Sequence, residues 1–138
     1  MTFVVDASVV VKWVIPEVLS DRAEALRARA DRLVAPDLLP TEVANVLWKK
    51  VLRRELSVRE AGQALDLVMA SGLDLRPSVP LLRRALSLAH RLKHPVYDCI
   101  YLALGQSEGA TVVTADERLL MRLGRRRARH AVVGLASI

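Results

Sequence analysis

The 138-residue sequence holds one cysteine, Cys99, so no disulfide can close within the chain and the thiol does not shape the fold. A thiol-poor chain of this kind suits a reducing compartment, which points to the cytosol. Long apolar runs are also missing: no stretch approaches the roughly 18 uninterrupted apolar residues that a membrane helix requires. The apolar segment at residues 3–15 is broken by Asp6 and Lys12, with no basic stretch before it and no small-residue cleavage site after it. Neither a secretion signal nor a membrane span is therefore expected. Glycine loops of the Walker or dinucleotide-binding kind are absent, and with them the usual route to a nucleotide cofactor. No internal repeat, low-complexity tract or linker divides the chain, which reads as one domain over residues 1–138. Lysine is scarce: Lys12, Lys49, Lys50 and Lys93 are the only lysines among 21 basic residues.

What is present is an ordinary globular composition, 52% apolar and 26% charged, in a chain long enough to bury a core and too apolar to be disordered. The formal charge of +6 favours polyanionic partners, although basicity alone bears on solubility and non-specific binding. Runs at residues 2–5 and 110–114 predict strands, with shorter ones at 34–35, 73–75 and 131–133. Helical spacing covers residues 9–14, ended by Pro16, then 21–33 and about 37–56. Ser57 and Glu60 form a capping box that opens a helix to about residue 70. Further helices are expected at 79–92, from Pro95 to just before Gly109, and from Asp116 to 123. Strands alternating with helices of this length predict parallel β-α units, an α/β fold.

Within that alternation four acids stand at element ends. Asp6 directly follows the first strand and Asp116 closely follows the strand at 110–114, so both belong at the carboxyl edge of a sheet, where α/β proteins place their sites. Glu42 and Asp98 lie in the first turns of helices that begin after Pro40 and Pro95. Each acid has an ordinary alternative: a turn at Asp6, an N-cap at Asp116, a favourable helix dipole at Glu42 and Asp98. Their flanks are apolar, however, and burying several carboxylates together is costly unless a cation neutralises them. Magnesium, or manganese with the same oxygen ligands, serves there, and such a site hydrolyses phosphodiesters. Nearby, Ser8 either caps the helix after it or bonds a ligand carboxylate or phosphate. Thr114 is placed to orient Asp116, and Asn45, three residues after Glu42, to hold Glu42 or a metal-bound water.

Asp6-Ala-Ser8, Pro40-Thr-Glu42-Val-Ala-Asn45, Tyr97-Asp98 with Tyr101-Leu-Ala, and Thr114-Ala-Asp116 together resemble the PIN-domain ribonucleases, and more narrowly the VapC-type toxins of toxin–antitoxin pairs. The likeness runs from residue 2 to about 133. It implies a three-layer α/β/α sandwich around a mostly parallel sheet, with the acids gathered in a groove. It also implies magnesium- or manganese-dependent endonucleolytic cleavage of RNA, a homodimer, and a cognate antitoxin that blocks the groove. By position, Asp6 and Asp98 match the usual direct metal ligands. Glu42 and Asp116 match the other acids, with Ser8, Asn45 and Thr114 in support.

Other readings compete. A phosphoryl-transfer domain with Asp6 as nucleophile expects a second acid beside the first and a lysine after a late strand, and neither is present. A basic nucleic-acid-binding module without catalysis leaves the four acids unexplained. Arg125, Arg126, Arg127 and Arg129 either grip RNA phosphates or form a solvated connector. His90, His94 and His130 lack metal-ligand spacing and read as surface residues. Trp13 and Trp48 lie on apolar helical faces, which favours the core over base stacking.

Overall fold

A computed structural model describes residues 1–138. Five strands, β1 (Thr2–Val5), β2 (Arg32–Pro36), β3 (Asp74–Arg76), β4 (Thr111–Thr114) and β5 (Val132–Gly134), form one sheet of order β3-β2-β1-β4-β5 in which every pair is parallel. The helices are α1 (Ala7–Val14), α2 (Ser20–Arg29), α3 (Leu39–Leu52), α4 (Val58–Met69), α5 (Leu82–Leu92), α6 (Val96–Glu108) and α7 (Glu117–Leu123). The steps from β1 to β2 to β3 run one way across the sheet, and right-handed crossovers put α1 to α4 on one face. The return to β4 and on to β5 runs the other way and places α5 to α7 on the opposite face. Packing agrees: α1 lies against α2, α3 and α4, while α5 packs on α6 and α7 on β5. The result is the three-layer α/β/α sandwich around a parallel sheet. Val4, Val5, Val112 and Val113 of the two central strands are fully buried, as strands covered on both faces require. No helix is long and apolar enough to cross a membrane.

Several boundaries differ from the sequence expectation, each for a physical reason. The helix expected over 21–33 ends at Arg29, because Arg32 and Leu33 pair with Thr2 and Phe3 in the sheet, and that pairing overrides local helix propensity. The helix expected to reach residue 56 stops at Leu52, where Arg54 takes a left-handed conformation (φ 61°) and turns the chain toward the Ser57 capping box. The segment 79–92 begins as a short 3-10 turn, Val79–Leu81, before α5. Trp48, expected in the core, is 55% exposed on α3, whereas Trp13 is half-buried and donates its indole N–H to the Ala23 carbonyl at 3.0 Å.

The approach of α6 to β4 depends on a missing side chain. A Cβ at Gly105 would stand 2.7 Å from Val112 Cγ2 and 3.2 Å from the Ala110 carbonyl oxygen. Gly105→Val is expected to lower unfolding free energy by about 1–3 kcal/mol, as overpacking a filled core does. A denaturant midpoint that falls with an unchanged slope checks this, and an unmoved midpoint contradicts it.

Candidate active site

β1 and β4 lie side by side at the centre of the sheet, yet β1 leads to β2 on one side and β4 to β5 on the other. At such a reversal the loops leaving the two strands part toward opposite faces and open a crevice at the carboxyl edge. A cleft of about 500 Å³ opens there, and Asp6, Glu42, Asp98 and Asp116 all line it, with Ser8 and Asn45 on its wall. The acids come from four places in the chain: the end of β1, the first turn of α3, the first turn of α6 and the cap of α7.

Asp6 is the deepest, 8% exposed. Its Oδ1 accepts from Ser8 Oγ at 2.5 Å and from the Val9 amide at 3.2 Å, and its Oδ2 accepts from Thr114 Oγ1. Of the two readings open for Ser8 the bond to a carboxylate holds and the cap does not, and the expectation for Thr114 needs correction. Asp6, not Ser8, is the N-cap of α1; Ser8 lies inside the helix, which leaves its hydroxyl free to bond Asp6 and to accept from the Ala115 amide at 2.9 Å. Thr114 orients the Asp6 carboxylate and not that of Asp116, which it meets only by accepting from the Asp116 backbone amide at 3.0 Å. Burial pushes the Asp6 carboxyl up from 3.8 to about 6; the three hydrogen bonds resist this rise, and the charge of Asp98 adds to it.

Glu42 is held by Tyr101, whose hydroxyl donates to Oε1 at 2.6 Å, and not by Asn45, whose exposed side chain faces the cleft. Burial lifts the Glu42 carboxyl from 4.5 to about 7; the Tyr101 bond opposes the lift, and the charges of Asp98 and Asp6 reinforce it. Asp98 Oδ2 lies 2.5 Å from His94 Nε2. Its carboxyl is raised by burial, drawn back by the bond to His94 and that residue's charge, and raised again by Asp116. Asp116 does cap α7, accepting from the Arg118 amide at 2.9 Å, and lines the cleft as well. Capping and cleft-lining are compatible, since each carboxylate oxygen carries two lone pairs.

Tyr101 and His94 are the functional neighbours that sequence reasoning missed. His94 stands four residues before Asp98, and that helical spacing was the available signal for its bond, whereas no local spacing links Tyr101 to Glu42. His94 is no surface residue, for its side chain is 9% exposed.

The donor set suits a hard cation. Three carboxyl groups raised by burial and by one another's charge gain most from a neutralising partner, and all their donors are oxygen. No three His, Cys, Asp or Glu side chains are drawn into a ready-made cage.

Comparison with known proteins bears on the fold and the family. The PIN domain family profile matches residues 3–125. The chain is 37% identical over 123 residues to Ribonuclease VapC3 of Pyrobaculum aerophilum, spanning 86% of this chain and 92% of that protein. Among solved structures, PAE2754 from Pyrobaculum aerophilum superposes over 99% of this chain and 85% of that one, with a TM-score of 0.75 at 21% identity. A toxin–antitoxin complex from Klebsiella pneumoniae shares the fold over 96% of each chain, with a TM-score of 0.69 at 15% identity. A sheet reversal carrying four acids, a family profile over most of the chain and a VapC relative aligned nearly end to end lead to one assignment: the chain belongs to the PIN-domain family, among the VapC ribonucleases.

Proposed function

We propose that this chain is a single-domain, magnesium-dependent endoribonuclease that hydrolyses RNA phosphodiesters in the cytoplasm and acts as the toxin of a type II toxin–antitoxin pair. The observation that carries the reading is the convergence of four acids from four separate elements on one cleft, three of them raised by burial and mutual charge. Asp6 and Asp98 would hold the cation, with Glu42 and Asp116 completing the set of acids around it. Magnesium when bound, or manganese in its place, stabilises charge on the phosphate and activates water.

The chain's own residues do the rest. Ser8 and Thr114 fix the plane of the Asp6 carboxylate, and His94 fixes Asp98, so the ligand oxygens are set before substrate arrives. Tyr101 holds Glu42 Oε1, which leaves Oε2 to take a proton from the attacking water. Asn45 offers an amide to substrate across the cleft. Tyr97, 67% exposed on the cleft wall, offers an aromatic face for stacking an unpaired base.

Two protein partners belong to the same reading. The Klebsiella relative of this fold was solved as a toxin–antitoxin complex, and here Trp48, Leu52 and Val58 leave apolar surface on α3 and α4 for an antitoxin segment or a second copy of the chain. A binding module without catalysis is the weaker alternative, because unscreened acids repel phosphate. The purified chain is expected to cut RNA with magnesium, to stop when EDTA is added and to resume when magnesium is returned in excess. RNA that is bound yet never cut, with magnesium or with manganese, would overturn the nuclease.

A further inference from the structure

A second cleft, of about 590 Å³, shares Asp98 and Asp116 with the acid cleft and is lined on its far side by Arg118 and Arg122. The two arginines stand four residues apart on α7, so they project from one helix face. Both are exposed, and neither guanidinium makes an ion pair or hydrogen bond within the protein. The acids on the shared wall have other partners: Asp98 is bonded to His94, and Asp116 accepts from the Arg118 backbone amide. Two cationic forks thus line a cleft that opens directly onto the candidate cleavage site, and neither is paired within the chain.

The basic run that follows is differently occupied. Arg126 donates to the Arg122 carbonyl at 2.9 Å and to the Leu123 carbonyl at 3.5 Å, and Arg127 donates to the Leu120 carbonyl at 3.1 Å. Those guanidinium groups bond to carbonyls of the last turns of α7 and are half-buried in doing so. Arg125 and Arg129 are exposed but line neither cleft. Of the arginines on and after α7, Arg118 and Arg122 are therefore the two that line a cleft at the acids, whereas Arg126 and Arg127 are engaged by carbonyls of the chain.

We propose that Arg118 and Arg122 form a phosphate subsite that grips the RNA backbone next to the phosphate positioned over the four acids. The subsite rests on the nuclease reading for its substrate and offsets the repulsion that the acids exert on the rest of the strand. Guanidinium suits the task, because its planar fork pairs with phosphate oxygens in a bidentate manner.

Binding of a fluorescently labelled single-stranded RNA oligonucleotide tests this, measured with magnesium across a salt series in an Asp6→Asn background so that RNA is not consumed. Each phosphate contact on a single strand contributes about 0.7 to the slope of log affinity against log salt. Arg118→Ala/Arg122→Ala is expected to reduce that slope by about 1.4 and to weaken binding at least about tenfold at low salt. Arg118→Lys/Arg122→Lys, which keeps both charges, is expected to retain the slope. Arg125→Ala/Arg129→Ala should leave it unchanged. An unchanged slope in the first variant, or an equal fall in the Arg125/Arg129 control, overturns the subsite. So does arginine-dependent capture of poly-glutamate with RNA binding unaffected, which would assign the cleft to an acidic protein segment. Cleavage of the same RNA by the unaltered chain, followed in parallel, separates the two readings. Retained cleavage with an unchanged slope removes the subsite alone, whereas arginine-dependent binding by a chain that never cleaves keeps the subsite and removes the nuclease.

Discussion

Replacing Asp98 with Asn is expected to cut magnesium-dependent RNA cleavage by more than about a hundredfold, beyond the cost of losing a ligand's supporting partner, while the fold stands. Asparagine keeps the shape of the side chain and can still hydrogen-bond His94, so the change removes the charge and little else. That charge is held at a cost, since burial and Asp116 both disfavour it. The variant should therefore match or exceed the unaltered chain in metal-free stability above neutral pH. Glu42→Gln should behave alike, because the amide oxygen can keep accepting from Tyr101. His94→Ala provides the internal scale: it leaves the carboxylate but frees its orientation, a loss of about 10–100-fold. Cleavage rates at saturating magnesium, with an unfolding midpoint for each variant, give the comparison. Full activity in Asp98→Asn, or a larger loss in His94→Ala than in Asp98→Asn, would remove Asp98 from the metal-binding role.

The acids were legible in the sequence because local signals place them. A strand end, two prolines that open helices and a capping position all depend on residues within a few places of each acid. Of the groups that hold them, Ser8 and His94 stand within four residues of Asp6 and Asp98, whereas two others were not legible because they arrive from far away. Thr114 reaches Asp6 across 108 residues and Tyr101 reaches Glu42 across 59, separations that only the sheet order and the packing of α6 bring together. The same division runs through the fold. The Ser57–Glu60 capping box formed with both reciprocal bonds, at 3.0 and 2.9 Å, since nothing outside four residues is needed. The end of α2 was misjudged because Arg32 and Leu33 answer to β1 and not to their own helical propensity. Arg126 and Arg127 read as free charge in the sequence, and only the geometry turns them back onto carbonyls of α7.

Without metal, the protein is expected to become less stable as pH rises from about 4 to about 7, with Asp6 alone contributing on the order of 3 kcal/mol. The sign follows from where the protons sit. In the folded chain Asp6 keeps its proton until about 6 and Glu42 until about 7, against 3.8 and 4.5 for the same groups in ordinary surroundings. Between those limits the folded state binds more protons than the unfolded state, so raising the pH draws the balance toward unfolding. Asp98, raised by burial, acts in the same direction. Glu42 is partly open to solvent and is coupled to Asp6 and Asp98 through their charges, so the acids titrate as a set and their effects do not simply add. Glu17 works oppositely: held low by Lys50 and Lys12, it contributes stability that is lost only as pH falls below its ordinary 4.5. Magnesium competes with the protons for the same oxygens. It should restore about 2.7 kcal/mol at a hundred times its dissociation constant at pH 8, and progressively less toward pH 5, where protons hold the site. Denaturant midpoints across pH 4.5 to 8, taken in EDTA and in magnesium, measure both curves, and Asp98→Asn should flatten the first. Stability in EDTA that is level or rising between pH 5 and 7, with no gain from magnesium at pH 8, would mean that the four acids do not act as one buried, cation-seeking cluster.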